Sequence, residues 1–557
     1  MEKKKTVIYS IVALVALALL VVGATYAYFQ NQYGSASNAD VKVTTYTTDV
    51  LTFETGDAIN ITADQESFAQ GKGNRTGSTF ARATLQANNK TNTVTANYYM
   101  YLNIENNTFT YTNTGTPELI LQVVEKTSGN PVTSITGLDY VTVTDGKNTS
   151  ISGFDITNKK GLIALFSNKE ISASPKTIEE YTITITLVNH SFDQNNNTGK
   201  NLSGTLKIQK EIIPSNIADV AKNGDNLVTV IETLGTKGNS SLTGLYHHDA
   251  NLINGAGDNS YRFAGANPNN YVCFGSDDTT CQTENLYRII GVIDGKVKLI
   301  HANGATTTML GTDEGYVKTY KEAASNKLEL FQSFYKGKED FAKIGTYKWN
   351  KTYDNTWSTS TTNTTNLNTN YLTYLDSKNT KWKNMIADTT WYVGGMTSTN
   401  GALSNAKTAY NYELGANKDA TTTVTSKIGL MYVSEYYYGA TPDYWMLPGF
   451  DQNGHENDAG TAWIGEDYSK AYNDNWMSTG LNEWTLSRRS DVSNETFVVS
   501  GVGYLLGVGG GPSFGIVARP SFSLSSSIKF TSGEGTAVNP IRINLWWGDD
   551  ACLGRKG

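Results

Sequence analysis

EYTITITLVN (180–189) alternates strictly, with Ile183, Ile185 and Leu187 on one side and Thr182, Thr184 and Thr186 on the other. A period of two with β-branched residues on both faces predicts a half-buried antiparallel strand. The same texture recurs in VKVTTYTTDVLTF (41–53), NYYMYLNIENNTFTYTN (97–113), ELILQVVE (118–125) and GTLKIQKE (204–211). Turn residues separate these runs at Gly56-Asp57, Asn106-Asn107, Asp145-Gly146 and Asn195-Asn196-Asn197. Short strands at regular spacing with little helical pattern predict an antiparallel β-sandwich over residues 40–211.

Downstream the pattern changes. Residues 212–241 place Ile217, Val220, Leu227, Val228, Ile231 and Leu234 at near-helical spacing, so one or two short helices are expected there, followed by a Gly/Ser linker at 235–241. LYRIIGVIDGKVKLI (286–300) reads as two strands joined at Asp294-Gly295, a strong hairpin signal. Leu367, Tyr371, Leu375, Trp382 and Ile386 share a helical face in 367–388, and NAKTAYNYE (405–413) is a shorter helix candidate. The polar tract STSTTNTTNLNT (358–369) is expected to be a loop. Strands and short helices mixed in this way predict an α+β domain over 242–545, with 546–557 as a tail. The fold class expected for the whole chain is therefore mainly β.

The N-terminus carries Lys3, Lys4 and Lys5, then TVIYSIVALVALALLVVGATYAYF (6–29), with no charge until Asp40. A basic flank before an apolar run of about 20 residues is the pattern of an export signal or a membrane anchor. Residues 1–29 are thus expected to be a signal peptide or transmembrane helix, with cleavage after Ala27 or Ala39 where small residues precede the cut. Everything beyond is expected to be extracytoplasmic, secreted or on the cell surface, with contact to the membrane through the N-terminal helix if it is retained. Abundant Thr, Asn and Ser, with 33 Tyr, 52 Gly and only 17% charged residues, match extracellular β proteins. The net charge of −7 comes without a clustered basic face beyond the N-terminus, which argues against a nucleic-acid partner.

Few residues offer chemistry. Cys273 and Cys281 in CFGSDDTTC are expected to form a disulfide in an exported protein, leaving Cys552 over. Asp451, Asn453 and Asp458 cluster around Gly454 as candidate calcium ligands, but Ala462 holds the twelfth place, where an EF-hand has its acid. A solvated loop is the competing reading, so calcium is the one cofactor to consider. Asp193 among amides reads as an ordinary loop. His247-His248-Asp249 reads as a surface turn, because adjacent side chains diverge along a strand and no third ligand accompanies them. There is no GxSxG elbow, and the glycines at 507–511 lack the Lys-Ser/Thr of a phosphate loop. No catalytic residue is assigned, and the chain is expected to be non-enzymatic.

GATYAYF (23–29) resembles the signal-peptide ending of the biofilm-fibre and camelysin group of Gram-positive surface proteins, whose SipW-type peptidase cuts before the aromatic residue. A wider resemblance covers residues 245–545. The motifs LYRIIGV, EWTLSRRS and IVARPSFSL…SGEGTAVNPIRI resemble those of an uncharacterised family of Gram-positive surface domains. That family looks like the C-type-lectin/formylglycine-generating-enzyme-like fold. The resemblance implies a twisted sheet closed by the domain's own ends, with the terminal strand IRINL pairing near the first. It also implies a structural role for Arg519. Tyr436, Tyr437, Tyr438, Tyr444, Trp445, Trp463, Trp476 and Trp484 form Tyr/Trp-rich segments that suit sugars or peptides, with at least half expected in the core. The function expected is adhesion, a sandwich stalk presenting a lectin-like head to a carbohydrate or protein ligand. The alternative is a structural subunit of an extracellular fibre or matrix.

Overall fold

A computed structural model describes residues 49–545 except 70–71, 89–92, 114, 326–327, 402–403, 448–471, 502 and 507–513. The chain divides into two compact units, Met1–Ile213 and Pro214–Gly557. It is mainly β, and its sheets are antiparallel. Among the described residues no helix is long and apolar enough to cross a membrane. The expected signal helix at 1–29 lies outside the described residues, as does the tail 546–557.

Among its described residues the first unit contains ten strands: β1 (Val50–Thr55), β2 (Ile59–Thr62), β3 (Arg75–Gln86), β4 (Val94–Asn107), β5 (Leu119–Glu125), β6 (Tyr140–Thr144), β7 (Ser150–Asp155), β8 (Gly161–Ala173), β9 (Lys176–Leu187) and β10 (Asn201–Gln209). They form two sheets, ordered β1-β3-β9-β5-β7-β6 and β2-β10-β4-β8. The stretch that opened the sequence argument is interior strand β9, with Ile183 opposite Thr79 of β3 and Val123 of β5. Its alternation becomes burial: Ile183, Ile185 and Leu187 join one core with Tyr98, Met100 and Leu102 of β4 and Leu202 and Leu206 of β10. The threonine face is not all solvated. Thr186 is buried opposite Ile120, which packs with Val143, Ile151 and Val188 in a smaller cluster. A charge ladder also fixes register: Arg82 of β3 bridges Glu54 of β1 and Glu180 of β9, and Lys126 adds to Glu180.

The second unit is built on β11 (Leu245–His247), β12 (Tyr261–Phe263), β13 (Tyr271–Cys273), β14 (Leu286–Ile293) and β15 (Lys296–His301). Their order is β11-β12-β14-β15, followed by the strand Ser521–Ser523, with β13 also on β14. Asp294 and Gly295 both have positive φ (50° and 67°), as a two-residue hairpin turn requires. The β14–β15 register shifts between Ile289 and Gly291, and on the other side β12 lies so close that a Cβ at Gly291 would be 2.0 Å from the Tyr261 carbonyl oxygen. Gly291→Ala is therefore expected to cost about 1–3 kcal/mol, read as a lower urea midpoint with unchanged slope. The ends of the unit meet: Asn226 bridges Lys529 and donates to the Ser526 carbonyl, while Ile541 bridges Val272.

Two expectations need correction. The stretch 235–241 is not a linker. The helix Leu227–Lys237 buries Leu227, Val230, Ile231 and Leu234 in the second unit's core, and Ser240–Thr243 is a further helical turn capped by Asn239. The polar tract 358–369 is not a loop either. Thr362–Tyr371 is a wide, π-type helix, and its amides bond neighbouring backbone. Asn366 donates to the Leu310 and Glu314 carbonyls, Asn368 to that of Ile428, and Asn363 to that of Trp357. Asparagine satisfies buried backbone carbonyls as readily as it faces water, so polarity alone misassigned this tract.

Candidate functional site

The residues singled out in the sequence go to different places. Cys273 and Cys281 are joined by a disulfide with Cα atoms 5.8 Å apart. Asp451, Asn453 and Asp458 lie outside the described residues, as does Trp463. Among the described residues no group of three or more His, Cys, Asp or Glu is placed to hold a metal. Asp193 accepts from the Asn195 amide in an ordinary turn. Tyr436, Tyr437, Tyr438, Trp445, Trp476 and Trp484 are all buried, and Tyr444 is partly so. Most of the aromatic richness is core.

The histidine pair splits. His247 is half-exposed and stacks on Tyr261 with ring centroids 4.3 Å apart. His248 does not sit on a surface turn: it is fully buried, beside Tyr438 and Trp445. Its Nδ1 accepts from the Ala256 amide at 3.0 Å, which leaves the ring proton on Nε2, and Nε2 has no partner. Burial and the charge of Arg262 hold its pKa well below the usual histidine range.

His248 borders a buried network of charges. Arg262 of β12 pairs with Asp258 at 2.7 Å, and Lys298 of β15 pairs with Glu435 at 2.6 Å. Lys298 also lies over the rings of Trp391 and Tyr432. Glu435 sits on the helix Val433–Tyr438 and accepts from the Tyr432 amide. Glu413, from the helix Ala406–Glu413, receives the Val433 and Ser434 amides and the Ser487 hydroxyl. Burial pushes Glu413 up to about 7 despite those donors. With Glu413 protonated, Arg262 and Lys298 face Asp258 and Glu435 and this network is neutral. Elsewhere in the unit, Arg519 pairs with Glu483 at 2.5 Å and donates to the Met477 carbonyl, tying two of the sequence motifs together.

One cation in the core has no acid. Arg288, on β14, is 6% exposed. Its guanidinium lies 4.2 Å from the Tyr271 ring centroid and 4.7 Å from that of Trp476. Nε donates to Asn270 Oδ1, and Nη2 to Asn267 Oδ1 and the Pro268 carbonyl. Burial is the main cause that lowers its pKa to about 10, with Tyr271 opposing and the charge of Arg519 adding to the fall. The exposed Lys336 lies within reach of its field, over the Tyr472 ring, and donates to the Tyr472 and Asn475 carbonyls. Arg288 is the single charge in the strand LYRIIGVI, and Lys298 stands between apolar residues in KVKLI. That was the available signal, because an ion in a buried strand persists only where something stabilises it.

No protein family, curated protein or solved structure matches the chain.

Proposed function

We propose that this is an exported cell-surface protein that binds a ligand without transforming it. In this reading the first unit is a β-sandwich stalk and the second a C-type-lectin-like α+β head. The observation that carries it is the disulfide between Cys273 and Cys281 in the second unit of a chain that opens with an export-type segment. Disulfides persist in oxidising compartments outside the cytoplasm, so the bridge supports an extracytoplasmic head. A glycan array probed with the whole chain, with and without calcium, tests the reading. Saturable binding to a defined sugar is the expected result, and calcium dependence would implicate Asp451, Asn453 and Asp458. Silence under both conditions would count against the adhesion role.

The second reading is a fibre subunit. It is favoured by β6, an outer strand of the six-stranded sheet with the sequence YVTVT, which has neither charge nor proline to guard it. Counting alternations from β1, strand β6 runs opposite to β1, so copies related by translation alone would pair β6 with β1 antiparallel. Filaments that lengthen with protein concentration would favour this second role.

A further inference from the structure

We propose that Arg288 and Lys336 form a binding site for the oxyanion of an acidic carbohydrate, a carboxylate or a sulfate. This deepens the ligand-binding reading above and rests on it.

Arg288 is almost wholly buried, yet among the described residues it makes no ion pair. A buried cation without a counter-charge is strongly destabilising, and among the described residues every other buried arginine or lysine has one: Arg262 has Asp258, Lys298 has Glu435 and Arg519 has Glu483. Lys336 lies within the field of Arg288, where burial and the Arg288 charge disfavour its proton and Asp474 favours it. The carboxylate that acts on Lys336 is Asp474, which is already bonded by the Tyr444 hydroxyl at 3.3 Å.

Donor accounting points the same way. A guanidinium has five N–H groups and an ammonium three. Nε and Nη2 of Arg288 are committed to Asn270, Asn267 and Pro268, leaving both hydrogens of Nη1. Lys336 gives two hydrogens to backbone carbonyls and keeps one. The Nη1 of Arg262 provides a contrast, because that atom is sealed from solvent without a partner, whereas Nη1 of Arg288 is not among the sealed atoms.

Geometry completes the site. The Tyr271 and Trp476 rings hold the Arg288 guanidinium in place, and the Asn475 carbonyl that anchors Lys336 precedes Trp476 in the chain. Donors fixed before the ligand arrives lose little entropy on binding. With only Nη1 free, the arginine offers one nitrogen rather than a bidentate fork, so a second cation has to share the anion. We assign Lys336 as that cation, because it is tied to the carbonyl of the residue that precedes the Trp476 ring stacked on Arg288.

The test uses the full chain over immobilised polygalacturonate (carboxylate), dextran sulfate (sulfate) and unmodified dextran (neutral). Binding to one or both acidic polymers is expected, weaker in high salt and absent on dextran. Lys336→Glu should weaken it at least tenfold, Lys336→Arg should keep it, and Lys318→Glu, at an exposed lysine on another strand, should leave it unchanged. Arg288→Lys should weaken binding as well, with an unchanged far-ultraviolet circular dichroism spectrum showing an intact fold. Equal loss with Lys318→Glu would reveal unspecific attraction and overturn the site. Binding to dextran that ignores both Lys336 variants would overturn the anion site while leaving a ligand-binding head. No binding to any of the three polymers would also overturn it, and the glycan array would then decide the wider reading separately.

Discussion

Glu483→Gln is expected to destabilise the second unit by about 3–5 kcal/mol at pH 8, because it strands the Arg519 charge in the core. The pair is 2.5 Å apart, with side chains 2% and 1% exposed, so water cannot take over from the lost carboxylate. Arginine cannot shed its proton to escape the interior. Removing the other partner differs in kind. In Arg519→Met the orphaned Glu483 can take up a proton, and burial already pushes its pKa upward against the opposing pull of Arg519. The methionine variant should therefore be nearly as damaged as Glu483→Gln at pH 8 but visibly less so at pH 5. A double variant, Glu483→Leu with Arg519→Met, should recover part of the loss, since an apolar pair needs no desolvated charge. All ten tryptophans follow Pro214, so tryptophan fluorescence during urea unfolding reports on the second unit alone. A Glu483→Gln protein as stable as the parent would show that the arginine reaches water in solution.

How legible these features were depended on contrast along the chain. In β9 large aliphatic residues alternate with threonine, and the hairpin at Asp294-Gly295 carries its own turn chemistry, so both could be read directly. Strand β3 buries Ala81, Ala83 and Leu85, and two of those residues differ too little from their neighbours to show a period. The asparagines at 363, 366 and 368 looked like solvent-facing loop residues because composition does not show whether an amide's partner is water or backbone. The Tyr and Trp clusters, of which at least half were expected in the core, are mostly core where they are described. Large rings suit a binding face and a core equally, and the hydroxyls of Tyr436, Tyr437 and Tyr438 each find a carbonyl inside. Pairings between distant charges, Lys298 with Glu435 or Glu483 with Arg519, are set by the topology and leave no local trace.

Glu413→Gln is the second large expected effect, and its signature is a change in pH dependence. Glu413 has an ordinary value of 4.5 and is raised to about 7 in the folded chain, with burial as the leading cause. Between those values the folded protein keeps a proton that the unfolded chain releases. The stability from this group is therefore full below pH 4.5 and is lost as pH rises through 7. A separation of that size corresponds to a loss on the order of 3 kcal/mol over the window. Glutamine cannot ionise, so the variant should lack this slope. The amide carries a fixed penalty, because its NH2 group sits where the Val433 and Ser434 amides seek acceptors, and that penalty does not vary with pH. Measured against the parent from pH 5 to pH 8, Glu413→Gln should thus improve steadily as pH rises. The competing outcome is equally definite. If the two amides, the Ser487 hydroxyl and Lys298 together outweighed burial, Glu413 would be ionised well below 4.5, and the difference between the proteins would grow in the opposite direction.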